Sequence, residues 1–320
     1  MERRVTRRDF LATSAAAGVG MLAAGRVRAA AFKTTLHKAM ISPPDEKRLK
    51  AYKEVGFEGI ECNQWNVPPA KAAAAREMAE KMGMKIHSVL RGWCSFNSAK
   101  PDAVEGHIKS VETALRACKA YGGDAVLLVP CRVGGMPMPK PWEFDYAFDP
   151  KTALVTRVAK GDNTKYTKYI EAHNHATTSS RAALQKLAPV AEKIGVKIAI
   201  ENVWNNLWVK PDIFAAFIRS VNHPFVGAYF DIGNHTRYHT PHEWIPVLGD
   251  LILKCHVKGY KLNANGQGGA WTKIREGSIN WPAVRKALDD IGYNGWLTNE
   301  SGGLSLKELS HRFDLIIAGK

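Results

Sequence analysis

Hydrophobic residues fall along this chain in short, near-continuous runs separated by longer amphipathic stretches. The runs are residues 33–41, 57–62, 84–90, 124–130, 196–201, 225–231, 251–256 and 295–300. Runs this short and this uniformly apolar predict strands buried on both faces, as in a parallel sheet covered by helices. Between and after them the pattern predicts helices over 45–55, 69–82, 102–121, 211–221, 241–248, 281–291 and 305–318. Pro43-Pro44 precedes the first helix and Gly56 stops it, while Gly83 and Gly122-Gly123 end the next two. Val55-Gly56-Phe57-Glu58-Gly59-Ile60-Glu61 and Ile291-Gly292-Tyr293-Asn294-Gly295-Trp296 repeat one rhythm of helix end, glycine stop and new strand. Eight such units in about 290 residues predict an α/β fold, a single-domain (β/α)8 TIM barrel over residues 31–320. Residues 131–163 and 259–277 exceed plain connections. Both follow strands, on the face where barrel enzymes place lids and specificity elements. The first is equally a surface decoration or an oligomer arm, which leaves a homo-oligomer open. His173 and His175 are expected on the surface, ahead of a helix.

Four successive runs end in a group able to bind a metal: Glu201, Asp231, His256 and Glu300, spaced by 30, 25 and 44 residues. In a parallel barrel these ends converge on one rim. Singly, such an Asp or Glu is often a helix cap and such a His a core residue. Together, three carboxylates and one imidazole suit one divalent cation, Mn²⁺ or Co²⁺ by preference, with Mg²⁺ or Zn²⁺ also compatible. Glu61 and His87, ending the second and third strands, are candidates for substrate contact or for a hydrogen-bonded structural pair. Trp204 and Trp208 suit stacking on a sugar face or core packing. Lys258 suits a substrate oxygen or a pair with Glu300, and His235, Arg237, His239 and His242 form a His-rich loop.

Ile200-Glu201-Asn202-Val203-Trp204-Asn205, Tyr229-Phe230-Asp231-Ile232-Gly233-Asn234, His256-Val257-Lys258, Glu276-Gly277-Ser278-Ile279-Asn280-Trp281 and Ile291-Gly292-Tyr293-Asn294-Gly295 occur in that order. This series resembles the xylose isomerase-like TIM barrel family of sugar isomerases and epimerases, most closely its hexulose-phosphate isomerase and xylulose-phosphate 3-epimerase-like branch. The resemblance implies that a cation polarises the carbonyl of a ketose or keto-sugar. One of Glu201 and Glu300 then takes a proton and the other returns it, through a metal-held enediolate, with acid and base unassigned. The same first step serves a lyase or dehydratase, and a binding module without turnover is a further alternative. A repair nuclease on this fold needs more His and Asp ligands, and Asn234 stands where one would be. Many family epimerases carry a substrate-binding His at the position of Asn234, with His235 following here. The common H-V-K-D ends in Gly259.

The overall formal charge is +15, but six Arg against Glu2 and Asp9 give residues 1–29 a net of +4, leaving +11. Lys and Arg are scattered among acids, so no nucleic-acid groove is expected. Thr6-Arg7-Arg8-Asp9-Phe10-Leu11 resembles a twin-arginine export motif, followed by a small apolar stretch and Ala-rich cleavage sites. Residues 1–30 are therefore expected to engage the twin-arginine machinery, placing the protein in the periplasm or on a membrane by an uncleaved signal. An exported enzyme would act on an unphosphorylated carbohydrate. Cys62, Cys94, Cys118, Cys131 and Cys255 contain no C-x-x-C pair and suggest no disulfide framework.

Overall fold

Each predicted run forms a strand, and the eight close on themselves in chain order. In the computed structural model, which describes residues 32–320, the barrel strands are β1 Leu36–Ser42, β2 Gly59–Cys62, β3 Lys85–Trp93, β4 Ala125–Val129, β5 Lys197–Glu201, β6 Val226–Asp231, β7 Ile252–Val257 and β8 Gly295–Asn299. All neighbours pair in parallel, and β8 returns to β1 with Leu36 opposite Gly295. Eight helices alternate with them: α1 Glu46–Glu54, α2 Pro69–Lys81, α3 Pro101–Tyr121, α4 Thr167–Ile194, α5 Pro211–Ser220, α6 Pro241–Leu248, α7 Trp281–Asp290 and α8 Leu306–Ile317. The predicted (β/α)8 barrel is the observed one. The expected export leader, residues 1–30, lies outside the described residues. Among the described residues no helix is long and apolar enough to cross a membrane.

Local chemistry sets the boundaries. Proline opens α2, α3, α5 and α6, where its missing N–H is one the helix would leave unpaired anyway. Asp45 caps α1 by accepting from the Arg48 amide, and Gly122 and Gly195 end α3 and α4 in the left-handed conformation. Alternation along β4 sends Val126 and Leu128 to the large core under the helices, and Ala125, Leu127 and Val129 to the barrel interior. Ala199 and Tyr229 join the inner group, and the Tyr229 hydroxyl lies 3.3 Å from both Ser88 Oγ and Thr298 Oγ1. The interior is thus a packed plug, and it fixes the floor beneath the rim.

Three expectations change here. The helix expected only after His175 is α4, which begins already at Thr167 and runs 28 residues to Ile194. His173 lies within it, fully buried, with its Nε2 accepting from the Trp208 amide, while His175 is exposed. The two long segments each fold into a hairpin, Phe144–Phe148 with Val155–Ala159 and Gly259–Leu262 with Gly269–Thr272.

One buried guanidinium ties the last two helices to the chain entering β1. Arg285 of α7, 2% exposed, donates to Thr34 Oγ1 (2.9 Å) and O (2.7 Å) ahead of β1 and to Ile317 O (3.0 Å) at the end of α8. Arg285→Ala would strand these buried acceptors, at a cost of roughly 3 kcal/mol. Urea unfolding should show this as a lower midpoint with an unchanged slope; a midpoint equal to that of the parent protein would refute the role.

Candidate metal centre

The ends of β5, β6, β7 and β8 bring Glu201, Asp231, His256 and Glu300 together, with one ligand atom from each inside a 4.8 Å group. Register explains the convergence. Asp231 pairs directly with His256, Glu201 with Tyr229, and Glu300 follows the last residue of β8, its amide donating to Val257 O. Three of the four are almost fully buried, and the Glu300 side chain is 33% exposed.

Each ligand is aimed by a neighbour. Asp231 Oδ1 accepts from the amides of Gly233 (2.8 Å) and Asn234 (2.6 Å), leaving Oδ2 directed at the cluster. Asn202 clamps β5 to β6, its amide donating to Asp231 O (2.9 Å) and its carbonyl accepting from Asp231 N (2.6 Å). Asn234 Nδ2 donates to Glu201 Oε1 (3.1 Å), and Asn234 Oδ1 accepts from Lys258 Nζ (3.0 Å). His256 Nε2 donates to Glu61 Oε2 at 2.6 Å, so its Nδ1 is the atom turned to the carboxylates. A carboxylate behind a ligating imidazole, setting its tautomer and basicity, is the usual arrangement around a metal.

The donor set fits a divalent cation. Asp231 Oδ2, His256 Nδ1 and Glu300 Oε2 are buried without a hydrogen bond, though His256 Nδ1 and Glu300 Oε2 stand 2.8 Å apart. Buried polar atoms are rarely left so. Three carboxylate oxygens and one imidazole nitrogen face one another, and the one Lys258 ammonium beside Glu300 and Asp231 does not balance three carboxylates.

The structure sorts the other candidates. Lys258 is in the site, 2.9 Å from Glu300 Oε2 and 3.3 Å from Asp231 Oδ2. Glu61 is fully buried behind His256, so it orients that ring and does not face a substrate. His87 is a correction. It does not end β3 but lies near its start, fully buried, stacked on Trp296 (4.5 Å) with its Nε2 3.1 Å from Thr298 Oγ1. His235 also points inward, donating from Nε2 to Val203 O at 3.0 Å and packing on Trp244. Trp208 is core, stacked on Phe217, and His239 pairs with Glu243. Trp204 stays at the rim, its Nε1 donating to Asn234 O and its ring stacked on Trp271. Trp271 had no signal beyond being an aromatic residue in a glycine-rich loop.

Two glycines of the motifs have steric causes. A Cβ at Gly233 would lie 2.5 Å from Lys258 Cβ. One at Gly259, where an acid is common, would lie 2.4 Å from Thr272 O across the second hairpin.

The carboxylates differ in proton affinity. Burial pushes the Glu201 carboxyl up to about 7, with the charges of Glu300 and Asp231 adding to it against the His256 hydrogen bond. Burial likewise raises Asp231, against Lys258. Burial would also raise Glu300, but His256 and Lys258 outweigh it and hold the group at about 2. Burial disfavours a charged His256, yet Glu61 and Glu300 overcome this and raise it well.

Cation ligation must therefore displace protons. Divalent-cation affinity should rise with pH through about 7 as Glu201 ionises, with proton release measurable by calorimetry in buffers of different ionisation enthalpy. In the cation-free protein Glu201 opposes stability as pH rises from its ordinary 4.5 to about 7, because the folded state holds the proton longer. Glu300 acts in the opposite sense and only below 4.5, its contribution being lost as pH falls toward 2. Glu61→Gln should weaken Mn²⁺ binding by about 10–100-fold; affinity equal to the parent's would mean that Glu61 is only structural.

A protein-family model described as xylose isomerase-like TIM barrel matches residues 49–309. An uncharacterised protein of Methanocaldococcus jannaschii is 30% identical over 124 residues, 38% of this chain, so the match spans 42% of that relative's length. Among solved structures, 3-keto-D-glucoside 4-epimerase from E. coli is similar with a TM-score of 0.64 and 12% identity, covering 89% of this chain and 100% of that one. D-allulose 3-epimerase from Methylomonas sp. has a TM-score of 0.64 and 18% identity, covering 91% and 100%. A xylose isomerase-like TIM barrel protein from Mycobacterium smegmatis, in complex with magnesium, has a TM-score of 0.60 and 18% identity, covering 90% and 96%. At these identities the structural likeness is one of fold. The matched span, which runs from α1 to α8 and includes every rim ligand, establishes that the chain belongs to the xylose isomerase-like TIM barrel family.

Proposed function

We propose that this protein is a divalent-metal-dependent isomerase or epimerase of a ketose or keto-sugar. One observation carries the reading: Glu201 and Glu300 meet in a single cluster with Asp231 and His256, with one ligand atom from each lying within 4.8 Å of the others. Two carboxyl groups beside one cation suit a proton donor and a proton acceptor at one carbon. The sugar epimerases among the chain's structural relatives support the reaction class. The export leader read in residues 1–30 favours an unphosphorylated substrate.

Glu201, Asp231, His256 and Glu300 would hold the cation, whose Lewis acidity would polarise a substrate carbonyl and acidify the neighbouring C–H. Glu300, ionised and partly exposed, is placed to take that proton at a carboxylate oxygen. Glu201, buried and hydrogen-bonded to Asn234, is placed to return one. Lys258 Nζ lies 2.9 Å from Glu300 and keeps it anionic; it also offers N–H donors to a substrate oxygen. Asn234 links Glu201 to Lys258 and so couples the two sides of the site.

Proton NMR in D₂O of Mn²⁺- or Co²⁺-treated protein with unphosphorylated ketoses and keto-glycosides tests this. Solvent deuterium should enter the carbon next to the carbonyl in a sugar of otherwise unchanged formula. Loss of water would instead mark a dehydratase, and no exchange across the panel a binding module. Glu201→Gln and Glu300→Gln should each slow exchange by about 10²–10⁴-fold, and a chelator should abolish it.

A further inference from the structure

Large hydrophobic side chains seldom stand in water without a purpose when they cluster on one face. Among the described residues the exposed ones are Trp93, Trp142 and Trp271, at 44%, 39% and 46%. Trp93 ends β3, Trp142 lies in the segment after β4, and Trp271 is in the hairpin after β7. All three therefore sit on the barrel face that carries Glu201 and Glu300.

Trp93 and Trp271 are joined by stacked cations and rings. The Arg132 guanidinium lies 4.5 Å from the centre of the Trp93 ring and donates to Trp204 O at 3.0 Å. Trp204 stacks on Trp271 with centroids 4.7 Å apart, and Arg237 lies 4.4 Å from the centre of the Trp204 ring. Among the described residues neither Arg132 nor Arg237 forms an ion pair with a carboxylate, and Arg237 Nε is buried without a partner. Indole faces interleaved with free N–H donors match a ligand with apolar C–H faces and hydroxyl edges. Tryptophan offers such an apolar body next to a polar environment.

Trp271 also lines one cavity with Lys258 and Glu300, of about 450 Å³. That volume is in the range of about 300–1,000 Å³ seen for clefts that hold drug-sized ligands. The proposed reaction uses only the Lys258–Glu300 end. The Trp271 end has no role in it.

We propose that Trp271, backed by Trp204 and Arg237, is a second sugar subsite. The substrate is then a glycoside or short oligosaccharide, with its oxidised ring at the carboxylate cluster and its next ring on Trp271. This rests on the isomerase reading for the first ring only. The Trp204 stack fixes the indole, and Lys258 Nζ lies 5.3 Å from the centre of its ring, so the subsite adjoins the carboxylate cluster.

The test uses the full chain. Binding is measured by calorimetry and by quenching of tryptophan fluorescence, with α- and β-linked disaccharides, their monosaccharides and the matching keto-glycosides as probes. At least one two-ring probe should bind ten-fold or more tightly than its single ring. In Trp271→Ala that preference should fall at least ten-fold, and Trp271→Phe should recover most of it. The ratio of kcat/KM for two-ring over one-ring substrates should follow the same order. Equal affinity for one and two rings across the panel overturns the proposal. So does a Trp271→Ala variant that, with a circular dichroism spectrum like the parent's, keeps the preference. Two-ring preference without deuterium exchange would leave the subsite standing and sink the isomerase reading; exchange without the preference would do the reverse.

Discussion

Three carboxylates in one buried cluster repel one another, and the surroundings of this site answer that repulsion. At 4 Å two like charges cost about 4 kcal/mol at an effective dielectric of 20. Asp231 is met by two amides, Glu201 by Asn234, and Glu300 by His256 and Lys258. These partners satisfy one side of each group and leave the other side facing its neighbours. Full compensation would make a stable, inert ion-pair network. Partial compensation leaves a site that would gain stability from a bound cation, since whatever binds the folded state alone stabilises it.

That demand reaches into the backbone. Asn202 spends both ends of its amide on holding β5 to β6, which keeps Glu201 and Asp231 in register. Gly233 is bare because Lys258 packs where its side chain would be. Gly259 is bare because the hairpin strand that carries Trp271 passes against it. The acid missing after Lys258 is thus the steric consequence of the hairpin.

The sequence made the barrel legible because both faces of each strand are covered, so the strands read as unbroken apolar runs. The four groups that converge at the rim were legible for the same reason: a charge closing such a run is conspicuous. His87 was not, because β2 and β3 pair with a register shift. Ile60 faces Ile86 and Glu61 faces Ser88, so His87 is the skipped residue and falls inside the barrel. An irregularity of one residue changes which side a side chain takes, and no apolar pattern announces it. The full length of helix α4 was hidden by Thr177-Thr178-Ser179-Ser180, residues that favour turns in isolation. Here Thr177 bonds back to His173 O and accepts from Trp208 Nε1, so tertiary packing supplies what propensity lacks.

The hairpin after β7 connects these levels. Its first residue, Gly259, follows Lys258 directly, and Lys258 bridges Glu300 and Asp231. Its second, Tyr260, is buried edge-on to both Trp204 and Trp271. Its return strand carries Trp271 to the mouth of the cavity that Glu300 also lines. A ring pressed on Trp271 therefore acts on a strand covalently continuous with the lysine that holds Glu300 anionic. In the proposed subsite, recognition of the outer part of a ligand and the proton affinity of the inner site would share one short piece of chain. Binding energy gained far from the reacting carbon can then be used to position the groups that move the proton.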